Sequence, residues 1–180
     1  MAKRILVLSD SHGNSKNVKR ILELCHDADM IVHLGDGAAD LSKLLPDNYE
    51  KPLVLIEGNG EYYGWVGADR RYRPKRTEIV AFEGKKIFMT HGHLYGVKGG
   101  YGALLAHAAK VGADIVLSGH THQPHEEYIP AGTVLGDICT ERPVYLFNPG
   151  SIGQDVDGKG LSFGTLTLRG DTVLFSHGRI

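Results

Sequence analysis

Five short strings in this 180-residue chain carry side chains of the kind that bind divalent metals: Asp10-Ser11-His12, Gly35-Asp36, Gly58-Asn59, His91-Gly92-His93 and Gly119-His120-Thr121-His122. Carboxylates, an amide and imidazoles without a thiolate suit hard to borderline ions such as Mn²⁺, Fe²⁺, Ni²⁺, Co²⁺ or Zn²⁺. Asp10, His12, Asp36, Asn59, His91, His120 and His122 are too many for one tetrahedral ion. Two ions about 3.5–4 Å apart, bridged by a carboxylate and a water, would use the whole set, clamp a phosphoryl group and activate a hydroxide. Any one string is weak, because Asp-x-His, Gly-Asp and Gly-Asn also occur as ordinary turn chemistry. Their weight lies in recurrence, each after an apolar run.

Those runs are the elements that must position the ligands. Residues 4–8 read as a buried strand, and Asn14 or Ser15 can cap a helix to about His26, with Val18, Ile21, Leu22 and Cys25 at helical spacing. Residues 30–34 repeat the strand before Gly35-Asp36; a short helix carrying Leu41, Leu44 and Leu45 follows to Pro46, and residues 53–56 form a third strand. Residues 77–82 and 86–89 bracket Glu83-Gly84-Lys85 as a hairpin whose second strand runs into His91. Residues 102–111 predict a helix with Gly112 as its C-cap, and the strand at 114–117 leads into His120. Strands at 144–147, 161–168 and 172–176 complete the set, the last two joined by Arg169-Gly170-Asp171. The early strand-helix-strand units call for parallel pairing and the hairpins for antiparallel pairing, which together make a mixed-sheet α/β sandwich. In open α/β sheets the carboxyl ends of strands form the ligand crevice, so residues distant in sequence converge there. One domain over residues 1–180 is expected, with no solenoid-length repeat and no low-complexity tract.

Composition narrows the partners. A net charge of -1 and a pI of about 6.8 give no general attraction to nucleic acid or to membranes. Cys25 and Cys139 share no short spacing, which argues against a redox or metal CxxC and fits a reducing cytoplasm. The apolar run after Lys3 and Arg4 is cut at Ser9-Asp10, short of a signal-peptide core, and no stretch approaches the roughly 18 apolar residues of a spanning helix. A cytoplasmic protein is expected.

Residues 69–76 hold Arg70, Arg71, Arg73, Lys75 and Arg76 and follow Tyr62, Tyr63 and Trp65. Basic side chains interleaved with aromatics can grip phosphates and stack bases, so Arg70 and Arg71 are candidate substrate contacts; a solvated loop is the plainer reading. His93, two residues beyond His91, can face the same way and reach substrate, or lie idle at the surface. Glu61 can orient a ligand or be a solvated turn carboxylate. His26, His33, His107, His125 and His177 match no motif and receive no role.

In this set and order, the five strings resemble the calcineurin-like metallophosphoesterase family, most closely its small bacterial and archaeal phosphodiesterase branch of the YfcE type. The resemblance covers nearly the whole chain. It implies a four-layer α/β/β/α sandwich of two mixed β-sheets flanked by helices. It further implies that Asp10, His12 and His122 hold one ion, that Asn59, His91 and His120 hold the other, and that Asp36 bridges them. Asn59, His91, His93 and Asp36 are then the expected catalytic group, with Mn²⁺ the first expectation for the metal and Asn59, His93, Arg70 and Arg71 on the substrate side. Asn148-Pro149-Gly150-Ser151 also looks like this branch, and its plainer role is a structural turn.

The chain departs from the family at one position. Many members follow Gly-Asn with a His thought to assist the leaving group, whereas this chain has Gly60-Glu61. General-acid help is worth roughly 10²–10⁴-fold and matters least for acidic leaving groups, so a small or activated phosphodiester is the expected substrate. Two alternatives remain: a scaffold of the same fold, as in a retromer subunit with eroded ligand strings, and a nuclease, which the near-neutral charge disfavours for long nucleic acid. A homo-oligomer, dimer or tetramer, is compatible with the sequence.

Overall fold

The computed structural model describes residues 1–61 and 73–180. Strand β1 (Lys3–Leu8) turns Ile5 and Val7 to one face and Leu6 and Leu8 to the other, and all four are fully buried. A strand apolar on both faces needs cover on both. Its first face packs, with Met30 and Val32, against Ile87, Met89, Ile115, Leu117 and Phe147 of a second sheet. Its other face packs against Val18, Ile21 and Leu41 of two helices, α1 (Ser15–Leu24) and α2 (Ala38–Ser42).

The second sheet repeats this logic. Ile115 and Leu117 of β6 point to the shared core, while Val116 points outward to Leu104, Leu105 and Ala108 of α3 (Gly102–Lys110). Three apolar clusters therefore separate four layers, helix, sheet, sheet and helix. Each fully buried Leu, Ile, Val or Phe contributes roughly 1.5–3 kcal/mol.

The first sheet has the order β12 (Thr172–Arg179), β11 (Ser162–Arg169), β1, β2 (Met30–His33), β3 (Leu53–Leu55), with β1, β2 and β3 parallel and β11 antiparallel to both its neighbours. The second runs β4 (Thr77–Phe82), β5 (Lys85–Thr90), β6 (Ile115–Ser118), β10 (Val144–Pro149), β7 (Pro124–Ile129), with β5, β6 and β10 parallel. A small hairpin, β8 (Val134–Leu135) with β9 (Ile138–Cys139), lies apart. Both main sheets are mixed, as expected. No described helix is long and apolar enough to cross a membrane.

Local chemistry explains the boundaries. The side chain of Asn14 accepts the N–H of Asn17 and caps α1, which ends at Leu24 rather than His26. Helix α2 is shorter than expected and stops at Ser42, with Leu44 and Leu45 only partly buried beyond it. Glu83 and Gly84 both have positive φ, the requirement of a two-residue turn whose twist matches its hairpin strands. Strand β7 and the small hairpin β8–β9 are the described strands that the sequence pattern did not predict.

Candidate metal centre

Each of the five strings follows the carboxyl end of a strand that runs parallel to a neighbour: β1, β2 and β3 in one sheet, β5 and β6 in the other. At those ends the chain must turn sharply to aim a side chain back over the crevice. Six described residues other than glycine have positive φ, and five are Asp10, His12, Asp36, His120 and His122. The left-handed region costs an ordinary residue roughly 1 kcal/mol or more, so such clustering marks a site held by its surroundings.

The side chains form two groups. Asp10, His12 and His122 make one, and Asp36, His91 and His120 the other; within each, the ligand-type atoms all lie within 4.8 Å of one another. In the first, His12 Nε2 is 3.2 Å from His122 Nε2, and Asp10 Oδ1 is 3.1 Å from His122 Nε2 and 3.8 Å from His12 Nε2. In the second, His91 Nε2 is 3.1 Å from His120 Nδ1, 3.2 Å from Asn59 Oδ1 and 3.6 Å from Asp36 Oδ2. Asp36 Oδ2 also lies 4.0 Å from His12 Nε2, which links the two groups.

This arrangement fits divalent ions on its own terms. His91 is fully buried, and its Nδ1 lies 2.8 Å from the carbonyl oxygen of Leu34, an acceptor only. The proton therefore sits on Nδ1, and the bare Nε2 lone pair faces the oxygens of Asn59 and Asp36. Oxygen acceptors turned toward that lone pair are an arrangement that a cation between them would satisfy. Ligands held at 2.0–2.2 Å from an ion stand about 3.0–3.5 Å apart, close to the spacings seen. Asp10 Oδ1 is buried with no hydrogen-bond partner: it approaches His122 Nε2 without the alignment of a bond. Its other oxygen is satisfied by Ser9 Oγ at 2.5 Å and by the His120 N–H at 3.1 Å, so one oxygen is anchored and one left bare.

Electrostatics keep these groups in their binding forms. Burial works to raise the pKa of Asp10, but contact with His122, the nearby His91 and the bond from Ser9 outweigh it and hold the carboxyl below its usual range. Burial, reinforced by His91 and by the ammonium of Lys98, pushes His120 down to about 4, so its ring is neutral near pH 7. Burial and then His91 also lower His93, whose ring centroid stands 5.3 Å from that of His91. The Nδ1 of His93 is buried without a partner, and its ring lines a cleft of about 260 Å³ with Asn59 and Arg76.

The loops are tied down by residues the motifs did not single out. Glu61, of open role from its sequence, is buried and accepts the N–H groups of Asp36 (3.1 Å), Gly37 (2.6 Å), Ala38 (2.5 Å) and Gly58. It holds the Asp36 loop and the Asn59 turn together. His33 accepts the Gly35 N–H on Nδ1, so its Nε2 carries the proton toward Ser11 Oγ, which in turn donates to Asp40 Oδ2 at 2.7 Å. A histidine inside the apolar run of residues 30–34 was the available signal for this chain of bonds. Asn148 donates to the carbonyl of Gly119, to Thr121 Oγ1 and to Tyr101 Oη, and Ser151 Oγ donates to the carbonyl of Asp10, so the Asn148–Ser151 turn buttresses two of the five loops. Arg70 and Arg71 lie outside the described residues, as do Tyr62, Tyr63 and Trp65; Arg73 is exposed.

Glycine is required where these loops touch. A Cβ on Gly58 would sit 2.1 Å from Asp36 Oδ1, and one on Gly119 would sit 2.0 Å from Ser9 Oγ.

The model of the calcineurin-like phosphoesterase superfamily domain matches residues 4–171. Similar sequences include a probable metallophosphoesterase, YsnB, of Bacillus subtilis (strain 168), 29% identical over 172 residues that cover 94% of this chain and 86% of the relative. Phosphodiesterase YfcE of Escherichia coli (strain K12) is 28% identical over 179 residues, covering 91% and 86%. Among solved structures, vacuolar protein sorting 29 from Cryptosporidium parvum shares the fold with a TM-score of 0.70 at 16% identity, over 99% of both chains. With the two mixed sheets, the five strings and the family model in agreement, the chain belongs to the calcineurin-like phosphoesterase superfamily.

Proposed function

We propose that the protein is a dinuclear-metal phosphodiesterase acting on small or activated phosphodiesters. The observation that carries this reading is Asp36, whose Oδ2 lies 4.0 Å from His12 Nε2 and 3.6 Å from His91 Nε2 and so joins the two ligand groups. In this reading Asp10, His12 and His122 hold one ion, Asn59, His91 and His120 the other, and Asp36 is shared. Mn²⁺ is the first choice, with Fe²⁺, Ni²⁺, Co²⁺ and Zn²⁺ compatible with the same donors. When bound there, two such ions would supply Lewis-acid stabilisation of a phosphoryl group and a water of lowered pKa.

The chain's own residues supply the remainder. His91, with its proton on Nδ1, offers a lone pair from a buried and fixed ring. His93 and Arg76 line the cleft beside Asn59, where a neutral imidazole and a guanidinium can bond a phosphoryl oxygen. Position 60 offers no side chain to protonate a leaving group; its N–H donates to Asp36 Oδ1 at 2.6 Å. That favours diesters with acidic leaving groups over general monoesters.

The second reading is a binding scaffold, favoured by the fold shared with vacuolar protein sorting 29. A scaffold has no use for acceptors turned on one another across a buried site, and their retention supports the enzyme. The test is hydrolysis of bis-p-nitrophenyl phosphate by metal-depleted protein resupplied with Mn²⁺. Asp36→Asn should lose at least 100-fold in kcat, on the scale of losing a principal electrostatic contact. An Asp36→Asn protein as active as the parent would leave the scaffold reading standing.

A further inference from the structure

A second cleft, of about 490 Å³, opens beside the metal centre and is lined by Lys98, Tyr101, Thr121, Gln123 and His125 among others. Its volume lies within the usual range for small-molecule sites. Thr121 stands between His120 and His122, so the cleft reaches the loop that supplies a ligand to each group. The Tyr101 and His125 rings stack face to face, 4.9 Å between centroids and 10° from parallel. Neither ring is loose. Asn148 bonds Tyr101 Oη and also the Gly119 carbonyl, while His125 Nε2 lies 3.2 Å from Glu127 Oε2. This aromatic wall is therefore fixed to the same turn as the metal-centre loop.

Lys98 gives the cleft its charge. It sits in a one-turn 3₁₀ segment, Val97–Gly99, is exposed, and forms no ion pair with any described residue. An unpaired ammonium in an open cleft beside a phosphoryl-binding centre attracts anions that a single phosphodiester does not provide.

From this geometry we propose that the Lys98 cleft is a substrate subsite for the second ester arm, and that it selects diesters whose arm carries a further phosphate. The proposal rests on the phosphodiesterase reading above. A nucleoside arm ending in phosphate has both features that the cleft meets: a planar base against Tyr101 and His125, and a dianion against Lys98.

The test compares thymidine 5′-(p-nitrophenyl phosphate) with the same compound bearing a 3′-phosphate, using the Mn²⁺-loaded enzyme. The 3′-phosphorylated diester should show a kcat/KM about fivefold higher, expressed in KM, the effect of one exposed charge pair. Lys98→Ala should bring the ratio to about one, Lys98→Arg should keep it, and Lys98→Glu should invert it. The preference should shrink with added salt. A parent enzyme that cleaves both diesters equally, or a Lys98→Ala variant that keeps the preference, overturns the subsite. If the parent cleaves neither these diesters nor bis-p-nitrophenyl phosphate, the phosphodiesterase reading itself fails, a separable outcome.

Discussion

The carboxylate of Glu61 accepts the backbone N–H of Asp36 at 3.1 Å, so the residue two places after Asn59 sets the backbone of Asp36 on a different loop. The same carboxylate takes three further N–H groups. Glu61→Gln keeps the shape but turns an NH₂ toward N–H donors. We expect metal affinity to fall about 10–100-fold, as when groups that orient ligands are lost. The chelated protein should lose about 1–3 kcal/mol of stability from unsatisfied donors. Calorimetric metal titration and denaturant unfolding in chelator measure the two effects, and unchanged values in both would remove Glu61 from the site.

The absence of a side chain at Gly60 predicts a steep dependence of rate on the leaving group. Across a series of aryl and alkyl methyl phosphodiesters, kcat should fall continuously as leaving-group pKa rises, because no positioned acid at this turn shares the charge. A flat series contradicts this. A Gly60→His substitution should not flatten it. A Cβ there would stand 3.0 Å from Asp36 Oδ1 and 3.2 Å from its carboxyl carbon, disturbing the Asp36 carboxylate before any proton could be delivered.

Stability of the metal-free protein should decline in acid from near neutrality. Burial lowers the pKa of His33, of His93 and of His120, the last to about 4, whereas an unfolded histidine titrates near 6.5. Below about pH 6.5 the unfolded chain binds more protons than the folded one, so the stabilisation is complete above that pH and is lost as pH falls. Fully buried His33 sets a slope approaching 1.4 kcal/mol per pH unit, and the more open His93 and His120 add less. Asp10, whose folded pKa is depressed, adds a further loss below about pH 4. Urea midpoints in chelator at pH 7, 6 and 5 check the slope; a flat line would refute it.

His12 has a φ of 45° and a partly accessible side chain. Glycine relieves this backbone and alanine does not. Without metal, His12→Gly should therefore be more stable than His12→Ala by about 1 kcal/mol, although both lose activity. Equal stabilities in thermal unfolding would show that the turn carries no strain.

The convergence of the candidate ligands was legible in the sequence because each residue follows an apolar run, and such runs become strands whose carboxyl ends share one crevice. The layers were legible for a similar reason: Ile5 and Val7 alternate with Leu6 and Leu8, so neither face of β1 could meet water. Strand β7 was not legible, since Pro124–Ile129 buries only Ile129 and owes its pairing to β10. Glu61, His33 and Asn148 were also hidden. Their partners lie on loops distant in sequence, and nothing in local spacing marks a buried polar side chain as a brace.

Five metal-centre residues with left-handed backbones give the molecule an evolutionary direction. Under the phosphodiesterase reading, selection for catalysis would retain each strained residue against a folding preference for glycine or for a relaxed turn. In a lineage released from that selection, ordinary mutation replaces them with a gain in stability, so the metal centre erodes downhill while the two-sheet frame persists. Recovery of the centre runs uphill. Within this architecture, a chain that loses such a centre is therefore expected to regain it far less readily than it lost it.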